Sequence, residues 1–260
     1  MKSLYHFLKR HKLTSSILKF CDFIRSKKLK EHIFPIYVKT ISNHWVSSSY
    51  EKEIRACFKK ICKQYQLKSF YDIGANVGVF SADFLSFSKQ NTVCTFEPNP
   101  LMFDCLSKTK KKNALSNLIL FQVALSNHCG TVPLYFDPLS PAKGGIHPIR
   151  KGKFNHELEY KGITNSIMVE VTTLDALTNL QMPPDIIKID AEGEELAILQ
   201  GGKNLLEKYR PFIFFECSKN PHQVKDLLTS YGYQIKDLKF SFINKLQFFN
   251  LAIHYAKLIS

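Results

Sequence analysis

The chain has 260 residues, of which 45% are hydrophobic and 22% are charged, and this composition is that of a globular protein rather than a disordered or low-complexity chain. No apolar run approaches the ~20 residues of a membrane-spanning helix, and basic residues interrupt the N-terminal segment, so the sequence predicts neither a transmembrane helix nor a secretory signal. The formal net charge is +14, which favours contact with nucleic acid, anionic lipid or an acidic partner.

The basic charge is concentrated near the N-terminus, where residues 1–49 carry ten Lys or Arg and two acidic residues, a net +8. Apolar residues with helical spacing lie in this segment at Ile17, Phe20, Cys21 and Ile24. We therefore predict a basic helical appendage over residues 1–48 and a main domain over residues 49–260. The appendage either packs on that domain or lies on an anionic membrane surface. Nucleic acid is disfavoured because no nucleic-acid-binding motif appears.

Residues 49–65 have the pattern of the first helix of the main domain. Their apolar stripe consists of Ile54, Cys57, Phe58, Ile61, Cys62 and Tyr65. Ser48 and Glu51 have the spacing of a capping box, in which two side chains bind orphan amides at the start of a helix. We expect this helix to pack on the core of the main domain.

From residue 69 onwards, apolar runs typical of strands alternate with patterns typical of helices. The predicted strands are 69–73, 92–96, 118–123, 185–190, 211–217, 233–238 and 248–253, and the predicted helices follow residue 78 or span 99–112, 194–200, 203–209 and 221–230. This alternation indicates an α/β protein with a doubly wound, largely parallel sheet. The final strand is predicted to be antiparallel, because no helical pattern separates it from the strand before it. Residues 126–165 have no long period and predict loops with a hairpin near 131–136.

A glycine turn, Asp72-Ile73-Gly74-Ala75-Asn76-Val77-Gly78, joins the strand at 69–73 to the helix that follows it. Ligands of parallel sheets bind at the carboxyl ends of the strands, and Gly74 and Gly78 permit a tight turn with close backbone approach. The G-x-x-x-G spacing departs from the G-x-G-x-x-G of dinucleotide sites. Asp72 suits a cationic group such as an ammonium better than it suits an anion.

Glu97 follows the next strand, 23 residues after Gly74. A carboxylate at this place can accept two hydrogen bonds from a ribose diol, and it repels a 2′-phosphate, which disfavours NADP. Together with the glycine turn it favours an adenosine that carries a zwitterionic amino-acid tail, as in S-adenosylmethionine. The same two features also occur in plain α/β turns, so these residues alone leave the ligand open.

Six segments in chain order carry a closer resemblance. They are Asp72 to Gly78, Phe96-Glu97-Pro98-Asn99-Pro100, Ala124-Leu125-Ser126, Lys188-Ile189-Asp190-Ala191-Glu192-Gly193-Glu194-Glu195, Leu199-x-Gly201-Gly202 and Pro211 to Glu216. With them, residues 50–255 resemble the FkbM-type family of S-adenosylmethionine-dependent methyltransferases. The resemblance implies a Rossmann-like, doubly wound seven-stranded sheet with an antiparallel last strand. It also implies methyl transfer, most often to a hydroxyl of a sugar, a polyketide or another small metabolite. Residues 127–165 match poorly, and we interpret them as a variable substrate loop region.

The resemblance further implies a cofactor site. In it, the methionine part of the cofactor is lined by Asp72, Gly74, Ala75, Asn76 and Gly78. Glu97 holds the ribose with Pro98 and Asn99 close by, Gln122 and Ala124 border the adenine, and Asp190 faces the reacting methyl group.

Methyl transfer to an alcohol needs alignment and a base, because an alcohol is a poor nucleophile until its proton leaves. Asp190 and Glu192 are the candidate bases. Lys188 shares a strand face with Asp190 and needs a charged partner, either Asp190 or Glu216 at the end of the neighbouring strand. The predicted catalytic cluster is therefore Lys188, Asp190, Glu192 and Glu216. The alternative is a structural ion pair followed by the N-terminal acidic residues of a helix.

A metal site, two loop histidines and a helix cap were also considered. Asp190 and Glu216 supply two carboxylates, which are too few to predict a Mg²⁺ site, so no metal is predicted. His147 and His156 in the loop region are candidate bases near neutral pH. Asp175 is predicted to cap a helix.

The seven scattered cysteines are odd in number and never spaced C-x-x-C. They predict free thiols in a reducing compartment, and hence a cytoplasmic protein, either free or peripheral at the inner face of the membrane. The preferred function is O-methylation of a hydroxyl on a sugar, glycan or small metabolite.

Three alternatives stay open. One is a dinucleotide-dependent oxidoreductase, which the missing G-x-G-x-x-G disfavours, and another is a non-catalytic binding protein on the same fold. The third is an N-methyltransferase, although the amine-methylating string Asn/Asp-Pro-Pro-Tyr is absent where Asp190-Ala191-Glu192 stands.

Overall fold

The computed structural model describes residues 27–29, 36–38, 51–137, 140–146, 165–177, 182–217, 220–237 and 252–258. Within the predicted appendage it has two short strands, β1 (Lys27–Leu29) and β2 (Ile36–Val38), which pair antiparallel. The sequence pattern does not predict this hairpin, and the predicted helical segment around Phe20 lies outside the described residues. None of the helices in the described part of the chain is long and apolar enough to cross a membrane.

The first helix of the main domain is α1 (Lys52–Gln64), which confirms the helix predicted over 49–65. Its N-cap is Glu51, which has a positive φ of 45° and makes no side-chain capping bond. The predicted capping box of Ser48 and Glu51 is therefore wrong. The helix begins too late for Ser48 to be its N-cap, and Glu51 occupies the capping position itself instead of the third helical position.

The remaining elements follow the predicted alternation. The strands are β3 (Ser69–Ile73), β4 (Thr92–Phe96), β5 (Leu118–Phe121), β6 (Ala124–Leu125), β7 (Gly130–Asp137), β8 (Ser140–Gly145), β9 (Asn165–Thr172), β10 (Ile186–Ile189), β11 (Phe212–Cys217), β12 (Tyr233–Asp237) and β13 (Ala252–Leu258). The helices are α2 (Val79–Leu85), α3 (Pro100–Lys112), α4 (Glu195–Gln200), α5 (Lys203–Tyr209) and α6 (Pro221–Ser230).

Seven of these strands form the main sheet, in the order β12-β13-β11-β10-β3-β4-β5. The five strands from β11 to β5 pair in parallel, and β13 is antiparallel to both β11 and β12. This confirms the doubly wound Rossmann-like sheet with an antiparallel last strand. The last strand starts four residues later than the predicted 248–253 and ends at Leu258. Because β13 has a pairing partner on each side, its ladder continues past the apolar run that predicted it.

Successive residues of the central strands point to opposite faces of the sheet, as the strand period of two requires. On one face Phe70, Ile186 and Phe214 pack under α1 and α2. On the other face Tyr71 and Ile187 belong to a core that α4, α5 and α6 cover. Lys188 is two residues after Ile186, so its side chain is directed to the α1–α2 face.

A second sheet has four strands in the order β6-β9-β7-β8, of which β7 and β8 lie in the segment predicted as loops with a hairpin. Strand β7 confirms the hairpin predicted near 131–136, whereas β9 is not predicted. Only Val169 and Val171 of β9 are buried, against Leu134 and Phe136 of β7. The apolar signal of β9 is thus confined to two alternate positions, which is too short to distinguish a strand from a loop.

Asp175 caps a helix, although not a helix of its own segment. Its carboxylate accepts hydrogen bonds from the backbone N–H of Asn204 at 3.1 Å and of Leu205 at 2.8 Å, in the first turn of α5. The N-cap position of α5 is Gly202, where a Cβ atom would lie 2.8 Å from the Leu174 side chain. Close packing therefore removes the local capping side chain, and Asp175 replaces it across the chain.

We expect Asp175→Ala to lower the free energy of unfolding by about 0.5–2 kcal/mol, the usual cost of a lost N-cap. Urea unfolding followed by circular dichroism measures this loss. The control is Asp104→Ala, which removes an exposed pair with Lys108 on α3 and should change stability by less than about 0.5 kcal/mol. Equal losses in both variants would contradict the capping role.

Candidate active site

The carboxyl ends of β3, β4, β10 and β11 surround a cavity of about 390 Å³. This is the edge at which open parallel sheets bind their ligands. Its lining comprises Glu51, Ile73, Gly74, Asn76, Phe96, Glu97, Pro98, Asn99, Met102, Val123, Ala124, Leu125, Leu134, Gly144, Gly145, Ile146, Asp190, Ala191, Glu192, Glu194 and Glu216. The cavity thus brings the glycine turn, the ribose-binding candidate and three of the four predicted catalytic residues together.

Both glycines of the turn have backbone conformations that favour glycine, and Gly74 is also required by packing. Gly74 has a φ of +70°, and a Cβ atom on it would lie 1.9 Å from the carbonyl oxygen of Asp190. Gly78 has a φ of +81°, and its Cβ would lie 2.6 Å from a methyl group of Leu106. Gly74 lines the cavity, whereas Gly78 does not. Gly74 therefore lets the ends of β3 and β10 meet, and Gly78 lets α2 approach α3.

Glu97 is buried and held by two backbone groups. One carboxylate oxygen accepts a hydrogen bond from the N–H of Asn76 at 2.7 Å, and the other from the N–H of Asn99 at 2.9 Å. Each oxygen keeps a second lone pair for a hydroxyl donor. Burial raises the pKa of Glu97 to about 7, against which the two backbone hydrogen bonds act. The arrangement fits a ribose diol and predicts that the site is sensitive to pH near neutrality.

The part of the cavity around Asn76 fits the amino-acid end of S-adenosylmethionine. The side-chain oxygen of Asn76 is buried and has no hydrogen-bond partner among the described residues. An ammonium group in the cavity would satisfy this oxygen. Pro98 and Asn99 also line the cavity, and Asn99 caps α3 through a 3.0 Å bond from the N–H of Leu101. Ala75 lies at a small adjoining cavity of about 30 Å³.

The adenine side of the predicted site is apolar. Ala124 lines the cavity as predicted, but Gln122 is exposed and lies outside the lining. The next two residues, the partly buried Val123 and the buried Ala124, are the ones directed into the cavity after β5. The sequence reasoning missed the apolar residues Met102, Val123, Leu125, Leu134 and Ile146. They come from four separated segments, so no local pattern could have grouped them.

The variable loop region contributes to the cavity through Gly144, Gly145 and Ile146 at the end of β8. The interpretation of residues 127–165 as a substrate loop region stays a prediction. His147 and His156, the candidate loop bases, lie outside the described residues.

Lys188 and Asp190 form the predicted ion pair. The ammonium of Lys188 donates a hydrogen bond to Asp190 Oδ2 at 2.9 Å and lies 4.7 Å from the centre of the Phe80 ring. Burial by itself lowers the pKa of Lys188, but the negative charges of Asp190 and Asp72 outweigh it, and the pKa is raised. Lys188 is therefore a charged group inside the sheet, and it holds the carboxylate of Asp190 at the cavity.

Asp72 lies behind the cavity and does not line it. It is 1% exposed, and its Oδ2 accepts hydrogen bonds from the N–H of Ser81 at 3.2 Å and the hydroxyl of Ser81 at 2.5 Å. Burial raises the pKa of Asp72, and the charge of Lys188 and the bonds from Ser81 oppose this rise. The contact of Asp72 with the methionine part stays a prediction.

Three carboxylates converge at the cavity, from Glu51, Asp190 and Glu216, with one oxygen of each within 4.8 Å of the others. Burial raises the pKa of Glu216, the charge of Asp190 raises it further, and Lys188 lowers it. Such crowding is relieved by a proton or by a hard cation. The predicted neighbourhood of Lys188, Asp190 and Glu216 is thus confirmed. Glu51 was missed, because nothing in its local sequence marks the start of α1 as part of the site.

The acidic residues after Asp190 have different positions. Glu192 has a positive φ of 51° and lines the cavity before the helix begins. Glu194 accepts a hydrogen bond from the hydroxyl of Ser126 at 3.1 Å, and Glu195 accepts one from the N–H of Gly193 at 3.0 Å. Glu194 and Glu195 therefore shape the turn into α4, and Glu192 keeps its candidate catalytic place.

Comparison with known proteins agrees with this geometry. The chain matches the methyltransferase FkbM domain over residues 72–235, more than half of its length. It is 31% identical over 151 residues to methyltransferase sdnD of Sordaria araneosa, covering 50% of this chain and 58% of that protein. It is 29% identical over 161 residues to the hexuronic acid methyltransferase AglP of Haloferax volcanii, covering 61% of this chain and 60% of that protein. The chain spans between 56% and 60% of the length of the curated relatives it matches.

A solved structure shares the fold. The FkbM methyltransferase of Methylobacillus flagellatus KT has a TM-score of 0.50 and 15% sequence identity, with 83% of this chain and 56% of that chain covered. The sheet order and the cavity define a Rossmann-like methyltransferase domain. The chain belongs to the methyltransferase FkbM domain family. This membership confirms the resemblance drawn from the six motifs, the methyltransferase class of the domain, and S-adenosylmethionine as its cofactor.

The affinity for S-adenosylmethionine is expected to fall below pH 7. Ribose hydroxyls donate to ionised Glu97, so binding favours the charged form, and each pH unit well below 7 should weaken it about tenfold. Well above pH 7 Glu97 is ionised, so its titration should no longer change the affinity. Calorimetric titration across about pH 5.5–7.5 measures the change. In Glu97→Gln the affinity should be about 10–100-fold lower, from the loss of charge-assisted hydrogen bonds, and independent of pH. An unchanged pH dependence in that variant would assign it to another group.

Proposed function

We propose that this chain transfers a methyl group from S-adenosylmethionine to a hydroxyl of a sugar, a glycan or another small metabolite. The observation that supports O-transfer most directly is the carboxylate of Asp190 at the cavity, paired with Lys188 and beside Glu216. A carboxylate in this place can accept the hydroxyl proton. The name of the relative AglP, a hexuronic acid methyltransferase, supports a sugar acceptor.

S-adenosylmethionine supplies a methyl group that is already activated on a sulfonium. The chain must therefore bind the cofactor, align the acceptor hydroxyl with the S–CH₃ bond and remove one proton. Glu97 would hold the ribose and Asn76 the amino-acid end, while Asp190 accepts the proton. In this reaction the acceptor oxygen gains the O–CH₃ bond as the S–CH₃ bond breaks, and S-adenosylhomocysteine leaves. Alignment in the cavity is the larger contribution, up to ~7–11 kcal/mol in well-oriented reactions, and a positioned base adds ~10²–10⁴-fold.

Calorimetric titration with S-adenosylmethionine, with NAD⁺ alongside and Glu97→Ala as the control, tests the cofactor site of this chain. We expect binding of S-adenosylmethionine that is lost in Glu97→Ala, and no binding of NAD⁺. Binding of NAD⁺ instead would favour the oxidoreductase alternative. The acceptor class is tested with a labelled methyl group and a panel of hexuronic acids, neutral methyl glycosides and amino sugars. Label on an amino group alone would favour the N-methyltransferase alternative, and binding without any transfer would favour the non-catalytic one.

We also propose, on the sequence alone, that the protein is cytoplasmic and that residues 1–48 contact anionic membrane surfaces. Their excess of basic over acidic residues supports this contact. Sedimentation with phosphatidylserine vesicles should show binding that salt weakens, and neutral vesicles are the control. Equal sedimentation with both kinds of vesicle would contradict an electrostatic contact.

A further inference from the structure

Asp72 and Lys188 are neighbours across two central strands. Strand β3 pairs in parallel with β10, and the register places Asp72 directly beside Lys188. Neighbouring strands lie about 4.8 Å apart, and residues in register point to the same face. Asp72 is 1% exposed and Lys188 is 6% exposed, so the two opposite charges are both buried and adjacent near the carboxyl ends of their strands.

The two carboxylate oxygens of Asp72 differ in their hydrogen bonds. Oδ2 accepts the two hydrogen bonds from Ser81, whereas Oδ1 is buried and has no hydrogen-bond partner among the described residues. A buried carboxylate oxygen without a donor is costly unless a cation lies near it. The ammonium of Lys188 is the neighbouring cation, and the negative charge of Asp72 contributes to its raised pKa.

The same burial separates Asp72 from the cavity. Asp72 is 1% exposed and is not part of the cavity lining, whereas Asn76 is partly exposed and lines the cavity. Lys188 contacts Asp190, and Asp190 lines the cavity with 28% of its side chain exposed. Hydrogen bonds thus join Ser81 to Asp72 and Lys188 to Asp190, and the opposite charges of Asp72 and Lys188 link the two pairs across neighbouring strands.

We propose that Asp72 is a positioning residue, which holds Lys188 so that Lys188 fixes the proton-accepting carboxylate of Asp190, and that it does not bind the ammonium of the cofactor. This inference rests on the proposed function of Asp190. The ammonium donates a hydrogen bond to Asp190, the negative charge of Asp72 acts on it from the neighbouring strand, and the ring of Phe80 lies 4.7 Å from it. In this proposal the charge of Asp72 favours the position of the ammonium from which it binds the Asp190 carboxylate.

The test compares Asp72→Asn with the wild-type chain in two measurements. We expect kcat for transfer to the acceptor hydroxyl to fall about 10²-fold, the cost of a misplacement near 1 Å. We expect the Kd of S-adenosylmethionine, measured by calorimetry, to stay within about twofold, the usual additivity error. A weakened Kd with an unchanged kcat would overturn the proposal and favour the contact with the cofactor.

A double variant tests whether Asp72 acts through Asp190. If it does, Asp72→Asn combined with Asp190→Asn has the same kcat as Asp190→Asn alone. Additive losses would overturn the proposal. Lys188→Arg keeps the charge and should retain most of the activity, whereas Lys188→Met should lose as much kcat as Asp72→Asn, at an unchanged Kd.

If Asp72→Asn does not fold, Ser81→Ala is the second variant that tests the proposal. It removes the hydroxyl donor to Asp72 Oδ2 and should lower kcat while the Kd stays constant, and an unchanged kcat would contradict the proposal. Transfer to hydroxyls of the acceptor panel by the wild-type chain is measured first. If the wild-type chain transfers no methyl group, the proposed function fails and this inference fails with it. If the wild-type chain is active and the variants change only the Kd, the inference alone fails.

Discussion

Replacing Asp190 by asparagine should lower kcat for methyl transfer by about 10²–10⁴-fold, the contribution of a positioned base. The carboxylate lies at the cavity, where Lys188 holds it at 2.9 Å. An amide of the same shape keeps the contact with the cavity but cannot accept the hydroxyl proton. Because the loss concerns a proton transfer in the transition state, kcat and kcat/KM should fall together. Steady-state kinetics with a saturating acceptor from the panel measure both.

The matched control for this variant is Asp226→Asn, the same chemical change at an exposed position of α6. It should have the kcat of the wild-type chain. The Kd of S-adenosylmethionine should change less than tenfold in Asp190→Asn, since Glu97 and Asn76 carry the polar contacts. A fall in kcat of less than tenfold, in a variant with normal stability, would remove Asp190 from the role of base. Glu192 and Glu216 would then be the candidates, because both line the cavity.

Phe58→Ala should lower the free energy of unfolding by about 3–5 kcal/mol, the range for truncating a buried aromatic residue. The Phe58 ring is 0% exposed and lies 5.1 Å from Phe70, 5.2 Å from Phe80 and 5.7 Å from Phe214, measured between ring centres. Truncation would leave a cavity between α1, α2 and the sheet. Since whole domains are stable by about 5–15 kcal/mol, this one side chain accounts for a large share. Urea unfolding followed by circular dichroism measures the loss.

Tyr65→Ala is the control for this variant. Tyr65 follows the same helix and contacts Phe212 at 4.6 Å between ring centres, but it is 40% exposed. Its truncation should cost less than half as much as that of Phe58, because less apolar surface is lost. Similar losses in the two variants would show that the ring cluster does not anchor α1. Glu51 immediately precedes α1, so Phe58→Ala should also disturb the carboxylates at the cavity.

Local patterns in the sequence are sufficient for most of the main sheet. Strands β3 and β4 have the predicted bounds, and α5 and α6 do as well. Each of these elements is determined by periodicity and by end signals within its own residues. The small sheet shows the opposite case. Strand β9 is stabilised by pairing with β7 and β6, which are distant in sequence, and its own pattern is weak.

The candidate site divides in the same way. Glu97 and Asp190 could be predicted, because each directly follows a buried strand and such positions meet at one edge of a parallel sheet. Glu51 could not, since it reaches the cavity from the start of a helix that packs on the sheet. Gln122 was predicted at the adenine and is exposed, while Val123 next to it lines the cavity. One residue of difference along an extended chain reverses the side to which a residue points.

The class of this protein follows from its amino-acid sequence, because the strands, the glycine turn and the carboxylates at the strand ends each depend on a short local segment. Which of these residues reach the cavity depends on the tertiary structure. Burial removes Asp72 from the lining, strand register pairs it with Lys188, and packing of α1 adds Glu51. The reason is that access and charge environment depend on neighbours brought together across the whole chain, whereas secondary structure depends chiefly on residues that are adjacent in it.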